Sequence, residues 1–239
     1  QNGHGTGVAG LVGAVSNNGE GIAGLAFGCK VMNLKAGTKN GYLVESHIAS
    51  DTVDAVGNGA KVINMSFGDV AFSPLLEDVI KYAHSKNIVI VASAGNDASF
   101  EPHYPSGFPE VISVGATTRN DYRASFSNFA SSLALMAPGE EILTCNLSHF
   151  TNKYVVTQGT SFSAPLVSAA AGLILSHFPD LLNNGDAVKG LLLSTAEDIG
   201  EPGWDRFYAA GRLNVARALT TSFAPIARIT DPKTDSGTA

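Results

Sequence analysis

Three side chains in this sequence have the types that acyl transfer requires: a hydroxyl, an imidazole and a primary amide. Ser161 stands in Gly159-Thr160-Ser161-Phe162-Ser163-Ala164-Pro165, where a strand pattern ends, a glycine permits a tight turn and a helix pattern begins. A hydroxyl there meets the positive end of the helix dipole, which favours developing negative charge. The same spacing also suits a plain N-cap serine. His4 stands in Gly3-His4-Gly5-Thr6-Gly7-Val8-Ala9-Gly10, among glycines that keep an imidazole accessible at the start of a small-residue helix. Imidazole is the usual proton carrier near neutral pH, although most histidines do no chemistry. Asn96 follows Ser93-Ala94-Gly95 at the carboxyl end of an apolar strand. Its amide N–H could face a developing oxyanion, and it could equally be a turn asparagine beside glycine.

These groups need a scaffold that brings the ends of distant segments together. Near-continuous Val- and Ile-rich runs predict strands at Val31–Ala36, Lys61–Phe67, Ile88–Ala94, Val111–Ala116, Leu133–Met136 and Tyr154–Gln158. Such runs suit parallel strands covered on both faces. Helical patterns cover Ser46–Gly57, Pro74–Lys86, Ser161–Phe178, Asp186–Thr195 and Leu213–Leu219. The one beginning at Ser161 is apolar nearly all round, so it is expected to be buried. Trp204 and Phe207, near Gly203 and Gly211, are expected to pack the C-terminal helix as core. Strand, crossover helix and strand imply an α/β fold: an open, mostly parallel sheet flanked by helices. Ligands bind such sheets beyond the carboxyl ends of the strands, where Asn96 lies.

The bulk composition narrows the function classes. The chain has 239 residues, 44% hydrophobic and 15% charged, which suits one large domain with a substantial core. A net charge of −6 with dispersed basic residues argues against nucleic acid as a partner. No apolar run reaches the roughly 18 residues of a membrane helix. Cys29 and Cys145 are too few for a disulfide framework and read as small hydrophobes, with a single bridge left open. Residues 1–220 read as the domain, and 221–239 as a linker or the start of a further module. A nucleotide-binding reading fails for want of a phosphate-type glycine loop.

Taken together, the His4 and Ser161 motifs resemble those of the subtilisin-like serine proteases (subtilases). Val62-Ile63-Asn64-Met65-Ser66-Phe67-Gly68, Ala94-Gly95-Asn96, Tyr104-Pro105, Val111-Ile112-Ser113-Val114-Gly115-Ala116 and Met136-Ala137-Pro138-Gly139 fit the same family. The resemblance covers nearly all of residues 3–219. It implies that Ser161 attacks a peptide carbonyl, that His4 is the general base, and that Asn96 with the Ser161 backbone N–H holds the oxyanion. It implies that Gly41, Tyr42 and Leu43, with Ser66, Phe67 and Gly68, flank an extended peptide or protein substrate. The primary specificity pocket would lie between Ser66–Gly68 and Ser93, Ala94 and Gly95, with room for a sizeable side chain. Secretion, or another extracytoplasmic location, follows from the same resemblance.

The sequence also departs from the family. The third catalytic group there is an Asp on a central first strand preceding the His motif, whereas only Gln1-Asn2-Gly3 precede His4 here. In subtilisin, losing that Asp costs roughly 10⁴-fold in turnover. A complementing N-terminal segment, self-pairing into a homo-oligomer, and an inactive binding module are the competing accounts. Asp51, Asp54, Asp69 and Asp97 read as turn or surface residues rather than substitutes. Gly7 replaces a second His common in the family, and Glu45 replaces an aromatic wall. No cofactor is expected to be required. A family calcium site around Ser16–Glu20 would be incomplete within this chain.

Overall fold

Alternation decides where each strand residue points, because successive side chains leave a strand on opposite faces. The computed structural model describes residues 3–38, 40–147 and 151–221. Its centre is a parallel sheet of β1 (Val62–Met65), β2 (Val89–Ser93), β3 (Val111–Thr117) and β4 (Leu133–Pro138), in that spatial order. The helices are α1 (His4–Gly13), α2 (Glu45–Gly57), α3 (Pro74–Ser85), α4 (Thr160–His177), α5 (Gly185–Ser194) and α6 (Val215–Thr220). Val89 and Val91 of β2 point to the face covered by α4 and α5, where they join Ile112, Val114, Leu135, Val167 and Ile174. Ile90 and Ala92 point to the other face, where α2 and α3 supply Ile48, Leu76, Val79 and Ile80. β2 and β3 are buried along their whole length, as expected of strands covered on both sides.

Local chemistry sets the helix ends. Ser73 caps α3 by accepting from Leu76 N at 3.1 Å, and Pro74 occupies the first turn, where its missing N–H costs nothing. Asn184 and Asn214 cap α5 and α6 in the same way. α4 is buried on nearly every side, with Ala164, Val167, Ala170, Ala171 and Ile174 wholly enclosed. It runs across one face of the sheet and touches every strand of it.

Three expectations are corrected. Residues 31–36 join no ladder among the described residues, although Gly37 bridges Leu43. A run rich in β-formers needs a neighbour to become a strand. Here a cleft lies between this segment and the open edge of β1, and Val31, Met32 and Leu34 remain exposed along it. Tyr154–Thr157 forms β6, but it pairs antiparallel with β5 (Ile142–Cys145) in a separate hairpin rather than in the main sheet. Trp204 and Phe207 were expected in the core beside the last helix. Trp204 is 61% exposed, and Phe207 packs at the surface on Phe129 and the guanidinium groups of Arg123 and Arg206. Cys29 and Cys145 are both free and half-buried. Of the proposed C-terminal linker, 222–239 lie outside the described residues.

Because α4 supplies the largest share of the core facing the sheet, Ile174→Ala is expected to destabilise the domain by about 2–5 kcal/mol. The urea unfolding midpoint checks this, and a loss below about 1 kcal/mol would show that α4 is not the keystone of the core.

Candidate active site

The amino end of α4 is built to be gripped from three sides. Gly159, just before the helix, has φ 138°, a conformation that side-chain-bearing residues rarely adopt. The turn delivers Thr160 and Ser161 into the first helical turn. Thr160 is wholly buried. Its N–H donates to Asn96 Oδ1 at 2.8 Å, and its hydroxyl meets Asn96 Oδ1 at 3.1 Å and Gly95 N at 3.2 Å. With Oδ1 so engaged, Nδ2 is the part of the Asn96 amide left to donate to a ligand.

Pro165 explains a second grip. Proline inside a helix has no N–H for the carbonyl four residues earlier, here that of Ser161. That carbonyl accepts instead from Ser66 Oγ at 2.7 Å. Ser66 Oγ in turn accepts from Asn64 Nδ2 at 2.9 Å, and Asn64 Oδ1 accepts from Ser168 Oγ at 2.9 Å. The chain of bonds ties the end of β1 to two turns of α4. Ser161 Oγ donates to the Ser66 carbonyl at 3.2 Å. On the third side, Ser163 Oγ donates to the carbonyl of Pro138 at the end of β4.

His4 opens α1, whose small residues allow a close approach. A Cβ on Gly7 would lie 3.0 Å from Thr144 and 3.2 Å from Phe162, and one on Gly10 would lie 2.8 Å from Cys145 Sγ. Thr144 Oγ1 also donates to the Gly7 carbonyl at 2.6 Å. The β5–β6 hairpin therefore backs α1, and the His4 ring packs on Phe162, next to Ser161, with centroids 5.6 Å apart. His4 is exposed at the cleft mouth, yet protein on its inner side desolvates it and lowers its pKa below the ordinary 6.5.

His4, Asn96 and Ser161 line one cleft of about 2320 Å³. Gly41, Tyr42, Leu43, Ser66, Phe67, Gly68, Ser93 and Gly95 line it too. Gly41 and Tyr42 lie in a tight turn closed by Thr38 N donating to the Tyr42 carbonyl at 2.8 Å. Ala94 is placed elsewhere, packed in the core with Leu133, Met136 and Ala209. Asp69 and Asp97 border the cleft, whereas Asp51 and Asp54 ride on α2.

Sequence reasoning missed several supporting residues. Thr160 was visible within the Ser161 motif but carried no signal of a clamp. Asn128 is 1% exposed, and its Oδ1 accepts from Asp97 N and Ser99 N, which fixes the loop after Asn96. Nothing local in Phe126-Ser127-Asn128-Phe129 distinguishes that asparagine from a turn residue. Around Ser16–Glu20, Glu20 is the only carboxylate, and Asn18 Oδ1 is engaged by Glu20 N. Calcium seeks six or more oxygens, and this loop offers a poor fit. Among the described residues, no group of three or more His, Cys, Asp or Glu is placed to hold a metal, and no helix is long and apolar enough to cross a membrane.

A family model described as the subtilase family matches residues 1–211. The chain is 38% identical to subtilisin DY of Bacillus licheniformis over 91% of its own length and 77% of that protein. It is 35% identical to a thermophilic serine proteinase of a Bacillus species, over 92% of this chain but only 52% of that longer protein. Among solved structures, a protease from Pseudoalteromonas arctica superposes with a TM-score of 0.83 at 33% identity, covering 90% of this chain and 70% of that one. The grip on α4, the shared cleft and these matches converge: the chain belongs to the subtilase family of serine proteases.

Proposed function

We propose that this domain is a serine endopeptidase that works through an acyl-enzyme on Ser161. Ser161 Oγ leaves its bond to the Ser66 carbonyl and attacks the substrate carbonyl carbon. Neutral His4 takes the hydroxyl proton and later delivers it to the leaving amine. Water then attacks the ester, again with His4 as base, and releases the acid. Asn96 Nδ2 and the Ser161 N–H hold the oxyanion during both steps. Gly41–Leu43 and Ser66–Gly68 lie along the cleft as backbone rails for an extended peptide or protein substrate. One observation carries the reading: Thr160 N–H holds Asn96 Oδ1, which ties the oxyanion donor to the residue beside the nucleophile. The chemistry uses only side chains and backbone groups, with no cofactor. An extracytoplasmic location follows from the family resemblance.

The open edge of β1 supports a second part of the proposal. β1 pairs only with β2 among the described residues, and residues 31–36 face it across the cleft without a partner strand. An exposed edge is a template for strand addition. The occupant is a complementing N-terminal segment bearing a carboxylate for His4, or else a second copy of the chain. If that strand is supplied by another copy, the chain acts through self-association, and a lone domain is a catalytically impaired binding module.

Intact-mass analysis after incubation with a fluorophosphonate probe tests the nucleophile. One adduct per chain is expected, absent in Ser161→Ala; an unlabelled folded protein would overturn the reading. For a cleaved peptide, Asn96→Ala is expected to lower kcat on the order of 10²–10³-fold with little change in KM, as loss of an oxyanion donor does. The pH profile of labelling follows from the lowered pKa of His4. The neutral ring is the base, so the rate rises with pH to a midpoint below 6.5 for the chain alone. A carboxylate brought to the imidazole stabilises its cation and moves the midpoint upward. Sedimentation reports on strand addition: a clean monomer at micromolar concentration would count against pairing between copies.

A further inference from the structure

The two segments expected to wall the primary specificity pocket do not enclose an empty space. Between them stands His103. The residue is only 8% exposed and borders the cleft. The edge of the ring carrying Cε1 and Nδ1 lies against Gly68, where a Cβ would collide with Cε1 and come within 2.6 Å of Nδ1. The edge carrying Cδ2 lies against Gly95, where a Cβ would come within 3.1 Å. Each wall is therefore glycine at the point where the imidazole touches it. The ring spans the gap from wall to wall.

The backbone beneath this ring is fixed. The His103 carbonyl accepts from Ser106 Oγ at 2.6 Å and from Gly107 N at 2.7 Å. Tyr104 exchanges two backbone hydrogen bonds with Asp69, next to Gly68, at 2.7 and 2.9 Å. The backbone that carries the ring is therefore held against the Gly68 wall. Its Nδ1 is buried and has no hydrogen-bond partner. Burial lowers the ring's pKa below the ordinary 6.5, against the opposing pull of the Asp97 carboxylate, the Ser93 carbonyl, the Asp69 carboxylate and the Gly68 carbonyl. The ring is thus neutral at pH 7. A buried polar atom without a partner is costly, so the ring holds this position by its packing between the two walls and not by a hydrogen bond at Nδ1.

We propose that His103 is the floor of the primary specificity pocket, and that it restricts the substrate residue on the acyl side of the scissile bond to short side chains such as Ala or Ser. This replaces the expectation of a roomy pocket, because the space left by Ser93, Gly95 and Gly68 is filled by the imidazole. His103 is a specificity-determining residue and takes no part in bond making. A large aromatic side chain would have to displace a ring wedged between Gly68 and Gly95. The inference rests on the protease reading above.

The test uses the full chain and peptide boronic acids, which add reversibly to an active serine. Two such compounds, differing only in an alanine-type or a phenylalanine-type side chain at the boron-bearing residue, compete with fluorophosphonate labelling of Ser161. The alanine type is expected to protect at a concentration at least roughly 10-fold lower, since one misplaced pocket group is worth at least that factor. In His103→Gly the phenylalanine type gains at least roughly 10-fold, and the alanine type changes by less than about 3-fold. Should His103→Gly fail to fold, His103→Ala removes the same ring and shows the same direction. Equal protection by the two compounds in the parent chain, or an unchanged ratio in the variants, overturns the proposal. Absence of labelling in parent and variants alike overturns the protease reading itself, and this inference with it.

Discussion

A hydroxyl that water cannot reach must find its partners in protein, and the side chain of Thr160 is wholly buried. It finds them at the carboxyl end of β2, on Gly95 and on Asn96 Oδ1. Once that contact is made, the amino end of α4 can sit in one place only. Ser161 then lies beside the end of β1, and the direction of the Asn96 amide is decided. The rest of the site inherits its geometry from this contact. The Ser66–Asn64–Ser168 chain locks the same helix from the β1 side, and Ser163 locks it from the β4 side. The core serves the same end, because α4 crosses every strand of the main sheet and cannot shift without uncovering them.

The irregular features acquire a physical reason in this frame. Pro165 would usually weaken a helix by orphaning a carbonyl. Here the orphan is the Ser161 carbonyl, and Ser66 fills it, so the apparent defect becomes the attachment point between helix and sheet. The glycines of α1 would usually weaken a helix as well. Here they let β5 and Phe162 approach closely enough to set His4 beside α4. Local stability is given up at both places for position.

Much of this was legible in the sequence because the signals were local. The apolar runs of β2 and β3 are buried on both faces, and the all-round apolar pattern after Ser161 is a buried helix. Residues 31–36 misled because a strand is a relation between segments, and the run could not reveal that β1 would stand apart from it. Tyr154–Thr157 misled in direction, since a β-rich run does not say whether its neighbour is parallel. Asn128 was invisible for a similar reason: it holds a loop far away in sequence and sits in no pattern of its own. The ring of His103 meets Gly68, a contact between distant segments that no local pattern announces. Ala94 shows the opposite error, a residue inside a cleft-lining stretch whose side chain alternation sends into the core.

The central claim is that the Thr160 contact sets the geometry of the site. Thr160→Val keeps the volume and removes the hydroxyl, so the rate of fluorophosphonate labelling at Ser161 in this variant is the direct measurement, with circular dichroism to show that the fold is retained. The account predicts labelling slowed by at least roughly 10-fold, since a buried hydrogen-bonding group worth more than about 1.4 kcal/mol is lost from beside Ser161. A folded Thr160→Val protein that labels as fast as the parent chain would contradict it.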